Sequence, residues 1–167
     1  MSAIFERVSI RKFEDREVEA EKVELILRAG MAAPSAGNQQ PWEFFVITDK
    51  EVIAKLSEVH KWTYFVKNAP LVIVPAMRKD TSKLIYPEYD IVDVSLCTEN
   101  MLLEITELGL GTCFIGIAPH EARMQKVAEM INCPADLAPY TMLAIGYPAE
   151  GRPQQDRYDE SRIHYIK

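Results

Sequence analysis

The sequence predicts one domain of mixed helix and strand, an α/β or α+β sandwich built on a single central sheet. Three observations support this expectation. The chain has 167 residues, a usual length for one domain. Helical hydrophobic patterns alternate with short apolar runs of strand length. No internal repeat, low-complexity stretch or linker divides the sequence, so residues 1–167 are predicted to form one domain.

The predicted elements follow from hydrophobic periodicity and from turn residues. Helices are predicted over 2–8, 19–32, 50–59, 90–108 and 119–130. Strands are predicted over 43–48, 71–77, 112–117 and 140–146. Their order leaves both α/β and α+β open.

The segment after the first helix alternates polar and apolar residues. In an extended chain, Arg7, Ser9 and Arg11 share one face, while Val8 and Ile10 share the other and face the core. Two guanidiniums and a hydroxyl on one face suit phosphate or carboxylate oxygens. A solvated edge strand with outward charges would show the same pattern and remains an alternative.

The connection 33–42 joins a clear amphipathic helix to an apolar strand. Gly37-Asn38 is turn chemistry and two prolines bracket the segment, so no regular secondary structure is expected there. Trp42 begins the strand and is expected to anchor the loop to the core. The Ser, Asn and two Gln side chains of this loop suit a flat ligand with many acceptors. An ordinary helix-to-strand connection is the alternative.

The two strands that follow are strongly apolar. The run 43–48 is nearly continuous in apolar residues, which predicts a strand covered on both faces. In the strand 71–77, Pro75 indicates an edge or a bend. Between these strands, Asp49 is placed to cap the helix 50–59.

Two segments of the middle region are less regular. Residues 60–68 are rich in aromatic side chains and fit neither a helix nor a strand clearly. Residues 78–89 are polar with scattered aromatics, and we expect them to form a mobile crossing over a pocket.

The later elements carry further expectations. The helix 90–108 is apolar around most of its circumference, which predicts burial on more than one side and favours a subunit interface. The next strand ends near Gly116, where backbone can approach a ligand closely. Pro119 fits the first turn of the last helix. Its inward residues are predicted to be Ala122, Val127, Met130 and Ile131. The tail 147–167 is polar but ends on Ile163-His164-Tyr165-Ile166, as expected of a segment that docks.

Composition excludes several classes of function. A net charge of −6 argues against a nucleic-acid binder, and an anionic ligand would need a local basic cluster. No apolar run approaches the roughly 20 residues that span a bilayer, and the first residues do not resemble a signal peptide. Three widely spaced cysteines and three histidines without ligand spacing predict a reducing cytoplasm and no metal site.

No side-chain constellation for acid–base or nucleophilic catalysis is apparent, so no catalytic residue is predicted. Cys113 lies between Thr112 and Phe114 in a predicted strand and is expected to pack, not to react. His60 and His120 lack an identifiable partner and are expected at the surface or at helix caps.

Three motifs together resemble the nitroreductase family of FMN-dependent oxidoreductases. They are Arg7-x-Ser9-x-Arg11, then Pro34-Ser35-x-x-Asn38-x-Gln40-Pro41-Trp42, and then Gly109-Leu110-Gly111-Thr112-Cys113-Phe114-Ile115-Gly116 after a long helix. Gly146-Tyr147-Pro148, Arg157 and Ile163-His164-Tyr165 add to the likeness. These motifs occur in this order over essentially the whole chain.

The resemblance implies an α+β, nitroreductase-like three-layer sandwich, with a mostly antiparallel central sheet flanked by helices. It also implies an intertwined homodimer with FMN at the interface and the tail 147–167 on the partner subunit. The implied FMN-binding residues are Arg7, Ser9, Arg11, Pro34, Ser35, Ala36, Asn38, Ile115, Gly116 and Arg157.

Each group of these residues has an implied role. Arg7 and Ser9 would hold the phosphate or ribityl chain, with Arg157 completing the phosphate clamp. Arg11 would reach the ribityl chain or the pyrimidine edge. The residues from 34–38 would reach the flavin of the partner subunit, and the backbone at 115–116 would approach flavin N5.

The implied activity is ping-pong hydride transfer from NADH or NADPH through flavin N5 to small electron-poor acceptors such as nitroaromatics or quinones. A specialised flavin reaction (dehalogenation, enone reduction or flavin breakdown) and a non-catalytic flavin-binding dimer are the alternatives. The chain departs from the family pattern in a short segment 78–90 and in Gln155, where a basic residue is frequent and Arg152 could substitute. Lys61 and Lys67 are both available to contact the flavin ring.

Overall fold

An antiparallel sheet lies at the centre of the molecule, in a computed structural model that describes residues 2–79 and 84–167. The helices are α1 (Ala3–Glu6), α2 (Ala20–Met31), α3 (Lys50–Leu56), α4 (Asp90–Glu107) and α5 (Glu121–Met130). The strands are β1 (Trp42–Ile47), β2 (Leu71–Arg78), β3 (Gly111–Gly116), β4 (Leu137–Pro139) and β5 (Thr141–Gly146). Short 3₁₀ turns cover Ala36–Asn38, Tyr64–Asn68, Pro87–Tyr89 and Glu160–Arg162.

Helices cover both faces of the sheet, as side-chain alternation along the strands requires. On one face, Ile73 and Leu143 of the sheet pack with the side chains of α2 and α4. On the other face, Val72 and Met142 pack with α3 and α5. The strand order is β1-β2-β5-β3, with β4 also paired to β2, and every ladder is antiparallel. This α+β three-layer sandwich confirms the predicted fold class.

Of the two alternatives predicted for Pro75, an edge or a bend, the edge was wrong. β2 lies inside the sheet and pairs with β1 along its length. On its other side, Leu71–Ile73 pairs with β5 and Ala76–Arg78 pairs with β4. Pro75 lies between the stretch of β2 that pairs with β5 and the stretch that pairs with β4. On that edge of β2, its missing N–H therefore interrupts neither of the two ladders. The short strand β4, which was not predicted from the sequence, supplies the second partner.

The prediction that the strand at 43–48 is covered on both faces was also wrong for the single chain. β1 is an edge strand, and its Val46 side chain is 44% exposed. An apolar run therefore identified the strand but not its place in the sheet.

The predicted start of the last helix needs correction as well. Pro119 follows a cis peptide bond and lies outside α5, which begins at Glu121 after His120. Because the helix starts later than predicted, Ala122 is exposed and Met124 packs inward with Val127.

Several smaller predictions can be compared with the structure. Asp49 caps α3 by accepting hydrogen bonds from the N–H groups of Glu51 and Val52. The loop 33–42 contains one 3₁₀ turn, although no regular structure was predicted there. The predicted mobile crossing 78–89 falls partly on residues 80–83, which lie outside the described residues.

A polar cluster holds the end of β5 against α2. The Tyr147 hydroxyl donates to Glu19 Oε2 at 2.7 Å and accepts from Lys22 Nζ at 2.9 Å. The Arg16 guanidinium lies 3.7 Å from the Tyr147 ring centroid. The Tyr147 hydroxyl, the backbone at Glu19 and Arg16 together lower the pKa of Glu19 from its usual 4.5 to about 2.

Acidification should remove the stability that Glu19 contributes. Because its pKa is lowered in the folded chain, this contribution is complete above pH 4.5 and is lost as the pH falls toward 2. We expect Glu19→Gln to be less stable than the natural chain near neutral pH, with the difference shrinking to nothing at about pH 2. Urea unfolding of both proteins between neutral pH and about pH 2 measures this difference in stability. The exposed Glu17→Gln is the control, and a difference independent of pH would contradict the assignment.

No helix within the two described ranges is long and apolar enough to cross a bilayer.

Candidate functional site

Four arginines surround one cavity of about 530 Å³, here called the arginine cavity. They are Arg7, Arg11, Arg152 and Arg157. Ser9 and the amides of Gln154 and Gln155 complete its polar lining. No carboxylate belongs to this lining among the residues the structure describes. In a chain of net charge −6, such a concentration of positive charge creates a local site for an anion.

The segment 7–11 is held in place by β3. Ser9 forms a bridge with Thr112, and the Ile10 N–H donates to the Thr112 carbonyl at 2.9 Å. Ile10 is buried, and a Cβ atom at Gly111 would lie 2.8 Å from its side chain. Only glycine allows so close an approach. Ile10 faces the core as predicted, whereas Val8 is half-buried and lines the arginine cavity together with Arg7, Ser9 and Arg11.

The first part of the tail closes the cavity from the other side. Gln154 Nε2 donates to the Arg7 carbonyl at 2.9 Å. Glu150 accepts from the Arg11 N–H at 2.7 Å, and this bond contributes most to lowering the pKa of Glu150. Arg152 lines the cavity beside Gln155, and its Nη2 atom also lies 3.5 Å from Glu150 Oε2.

A second cavity of about 260 Å³ shares Arg11 with the first. We call it the ring cavity. Its walls include the aromatic side chains Trp62, Phe65 and Phe114 and the β3 residues Ile115 and Gly116. The Arg11 guanidinium lies 5.9 Å from the Phe65 ring centroid. A ligand with an anionic end and a flat end could therefore occupy both cavities at once.

The outer edge of β3 offers backbone groups to the ring cavity. β3 is the last strand in the order of the sheet, and Ile10 bonds its outer edge at Thr112. Because backbone groups alternate along an antiparallel strand, Gly116 also directs its N–H to this outer edge. Ile115 faces β5, where the Thr141 hydroxyl donates to its carbonyl at 2.7 Å. Of the two predicted positions, Gly116 is the one whose backbone N–H can reach a ligand.

The remaining predicted site residues lie apart from both cavities. None of Pro34, Ser35, Ala36 and Asn38 lines either one. Within one chain the structure thus brings together Arg7, Ser9, Arg11, Ile115, Gly116 and Arg157, and leaves the loop group separate.

The buried carboxylate of Asp93 on α4 organises this loop. It is only 2% exposed, and it accepts from the Ala36 N–H at 3.0 Å and from Gln39 Nε2 at 2.7 Å. Gln39 also accepts from the Tyr86 N–H at 2.9 Å. This arrangement was not predicted from the sequence. The one signal for it was the presence of an acidic residue, Asp93, within the apolar pattern of the helix α4.

Replacing Asp93 by Asn should loosen the loop. An amide offers one acceptor oxygen where the carboxylate offers two, so one of the two loop hydrogen bonds must be lost. We expect a loss of about 1.5–3 kcal/mol in the free energy of unfolding, because the lost bond involves a buried charge. Denaturant unfolding measures the loss, and the exposed Asp136→Asn is the control. Equal stability of the two variants would refute this role for Asp93.

Cys113 also lines the ring cavity but is poorly suited to react. Its side chain is buried, and burial raises the pKa of its thiol even though Arg11, Arg152 and Arg7 act in the opposite direction. A neutral thiol is a weak nucleophile, which agrees with the expected packing role.

The aromatic segment 60–68 contributes to the site through unexpected residues. His60 lines the ring cavity together with Arg123 of α5, which no sequence pattern singled out. Lys61 lies 5.1 Å from the Trp62 ring centroid. Lys67 lines a larger cavity of about 740 Å³, which also includes Glu14, Asp15 and Glu17 and lacks Arg11. This larger cavity is thus not the cationic one.

The fold and the two cavities that share Arg11 suit a protein that binds a phosphorylated cofactor with a flat ring. Comparison with known proteins identifies the family. The model of the nitroreductase family matches residues 4–64 and 58–147. The chain belongs to the nitroreductase family.

Individual relatives agree along nearly the whole length of this chain. A protein of Methanothermobacter thermautotrophicus, provisionally named NADH dehydrogenase/NAD(P)H nitroreductase, is 36% identical over 167 residues, which are 100% of this chain and 86% of the relative. A solved structure from Clostridium acetobutylicum, provisionally named NADH oxidase, has a TM-score of 0.93 and 41% identity, with 99% of each chain covered. An FMN-dependent nitroreductase of Clostridium difficile has a TM-score of 0.89 and 31% identity, covering 99% of this chain and 98% of that one.

Proposed function

We propose that this chain transfers hydride from NAD(P)H, through bound FMN, to small electron-poor acceptors such as nitroaromatics or quinones. One observation carries the proposal. A cavity lined by four arginines shares Arg11 with a cavity that has aromatic walls, in a chain of the nitroreductase family. The enzyme is accordingly an FMN-dependent NAD(P)H oxidoreductase, and the C. difficile relative is itself named an FMN-dependent nitroreductase.

The residues present fit FMN. A phosphate dianion is matched by guanidinium donors, which bind it in bidentate fashion, and Arg7 and Arg157 both line the cavity that would receive it. Ser9 adds a hydroxyl donor for the phosphate or the ribityl chain. Arg11 lies where the ribityl chain would pass into the ring cavity.

The chain's own contribution is to bind and orient. FMN, when bound, supplies the centre at N5 that accepts and donates hydride. The Gly116 N–H is directed to the edge of β3 that borders the ring cavity, and it would donate toward N5 without adding an ionisable group. No side-chain acid or base enters this scheme, in keeping with a neutral, buried Cys113.

The site is completed by a second copy of the chain in this proposal. Pro34, Ser35, Ala36 and Asn38 line neither cavity, so they would contact the FMN held by the partner subunit. Val92 and Leu96 on α4 are exposed in the single chain, as is most of the tail including Ile166. A homodimer in which α4 meets its copy and the end of the tail 147–167 packs on the partner would bury this apolar surface.

Two further features of the proposal are the order of reaction and the location. Since donor and acceptor would use the same ring cavity, NAD(P)H would leave before the acceptor enters, as in a ping-pong mechanism. We place the enzyme in the cytoplasm, where the free thiols of Cys97, Cys113 and Cys133 would stay reduced.

Steady-state turnover tests the proposed activity. FMN-loaded protein should oxidise NADH or NADPH in the presence of menadione or nitrofurazone, with parallel lines in double-reciprocal plots. Bound FMN without turnover of any acceptor would contradict the enzyme assignment. Intersecting lines would contradict the ping-pong order alone.

A further inference from the structure

The ring cavity carries positive charge beyond what the phosphate of FMN requires. The Arg123 guanidinium lies in its lining, opposite in sign to the net charge of −6 of the whole chain, and the His60 ring lies in the same lining. No Asp or Glu side chain lines it among residues 2–79 and 84–167. Lys61 and His120 lie close enough to act electrostatically on His60. In an acidic protein, this local excess of positive charge favours a bound anion.

The Arg123 guanidinium has N–H donors that remain available for a ligand. It is half-buried on α5, and its Nη1 donates to the Gly116 carbonyl at 3.4 Å, a long contact for such a bond. No ion pair of Arg123 is found within the described part of the chain. Its guanidinium, held at the last residue of β3, is therefore available to an oxygen anion in the cavity.

His60 is positioned as a neutral donor beside it. Its Nδ1 accepts from the Trp62 N–H at 3.3 Å, which places the ring proton on Nε2. Burial, followed by the charges of Arg123, Lys61 and His120, lowers its pKa, so the ring is neutral near pH 7. The Trp62 indole is 67% exposed and offers a flat surface next to it.

Building on the proposed function, we infer that the ring cavity selects electron acceptors that carry a negative charge, of the aromatic carboxylate class. Arg123 contacts the anionic group, and the His60 Nε2–H donates a second hydrogen bond. The aromatic ring of the acceptor lies against Trp62 and the flavin. Arg123 is then a specificity-determining residue, while neutral acceptors depend on stacking alone.

NAD(P)H also carries anionic phosphates, so the test must separate the two sources of charge. The kcat/KM values for 4-nitrobenzoate and for neutral 4-nitrobenzamide are measured in the natural enzyme, in Arg123→Gln and in Lys55→Gln. For each protein we take the ratio of kcat/KM for 4-nitrobenzoate to kcat/KM for 4-nitrobenzamide. Because the two acceptors are the same in every protein, their intrinsic reactivities do not affect how this ratio changes between variants. Lys55 is an exposed cation of α3 that lines neither cavity, so Lys55→Gln is the charge-matched control.

We expect Arg123→Gln to lower the benzoate-to-benzamide ratio about tenfold, the usual cost of one charge-assisted hydrogen bond. Turnover of 4-nitrobenzamide and the KM for NAD(P)H should stay near those of the natural enzyme, as should every value for Lys55→Gln. A ratio unchanged within about twofold in Arg123→Gln would overturn the inference, as would a rise in the KM for NAD(P)H without a change in the ratio.

A binding measurement decides the matter independently of turnover. Calorimetric titration of FMN-loaded protein with benzoate and with benzamide should show tighter binding of benzoate, and Arg123→Gln should abolish the difference. If the natural protein turned over no acceptor but still preferred benzoate in this way, the proposed activity would fail and the anion site would stand. Equal binding of the two ligands by the natural protein would overturn the anion site and leave the oxidoreductase activity intact.

Discussion

Gly116→Val should weaken FMN binding while leaving the chain folded. A Cβ atom built on Gly116 has one neighbour within 4 Å, the Phe114 Cε1 atom at 4.0 Å, so the protein has room for a side chain there. Valine also suits a strand. Because Gly116 lines the ring cavity, the added methyl groups would occupy the space of the flavin ring. Such overpacking should weaken FMN binding by about 1–3 kcal/mol or more.

Equilibrium dialysis measures how tightly Gly116→Val binds FMN, and a thermal melt measures whether the variant is folded. The control is Gly151→Val, since Gly151 is exposed and lines neither cavity, and a Cβ atom built on it has no neighbour within 4 Å. The melting temperatures of both variants should match that of the natural chain without FMN. Full FMN binding by Gly116→Val would show that the flavin ring lies elsewhere.

Arg7→Ala should weaken FMN retention by about 1.5–3 kcal/mol, the usual value of a hydrogen bond to a charged group. This is a rise of roughly 10- to 150-fold in the dissociation constant. The segment should keep its position, because β3 binds it at Ser9 and Ile10 and because Gln154 bonds the Arg7 backbone carbonyl. The change thus removes the guanidinium and little else.

Fluorescence titration with FMN and with riboflavin measures the effect and locates it. Riboflavin lacks the phosphate, so Arg7→Ala should weaken FMN binding and leave riboflavin binding almost unchanged. Arg28→Ala, which removes an exposed arginine paired with Glu24 on α2, is the control. A variant that kept its full FMN complement after extensive dialysis would refute the assignment of Arg7.

The cationic part of the site was predictable because it depends on local pattern. Alternation of Arg7, Ser9 and Arg11 with two apolar residues specifies which face is buried, whatever the rest of the fold. Arg123 and His60 could not be found in this way. They come from separate elements, and their meeting at the end of β3 depends on how the helices pack on the sheet.

The misjudged fold features share one physical cause. Pro75 was interpreted as marking an edge or a bend because it lacks an N–H group. Whether the missing N–H costs a hydrogen bond depends on which strand pairs with β2 at that position. The apolar run of β1 was interpreted as doubly covered, but coverage depends on the order of the strands in the sheet. Local sequence patterns predicted whether each element is a helix or a strand. Which elements lie next to each other depends on pairing between residues that are far apart in the sequence. Asp93 illustrates the same point, since its partners on the loop lie far away in sequence.

The FMN content of the purified protein, measured together with its mass in solution, tests the central claim most directly. The protein should be yellow, with the mass of a dimer by light scattering and two FMN per dimer by absorbance after release. A colourless protein that fails to take up added FMN would contradict the assignment of the two cavities that share Arg11. A monomer that retains FMN would contradict the site shared between two chains.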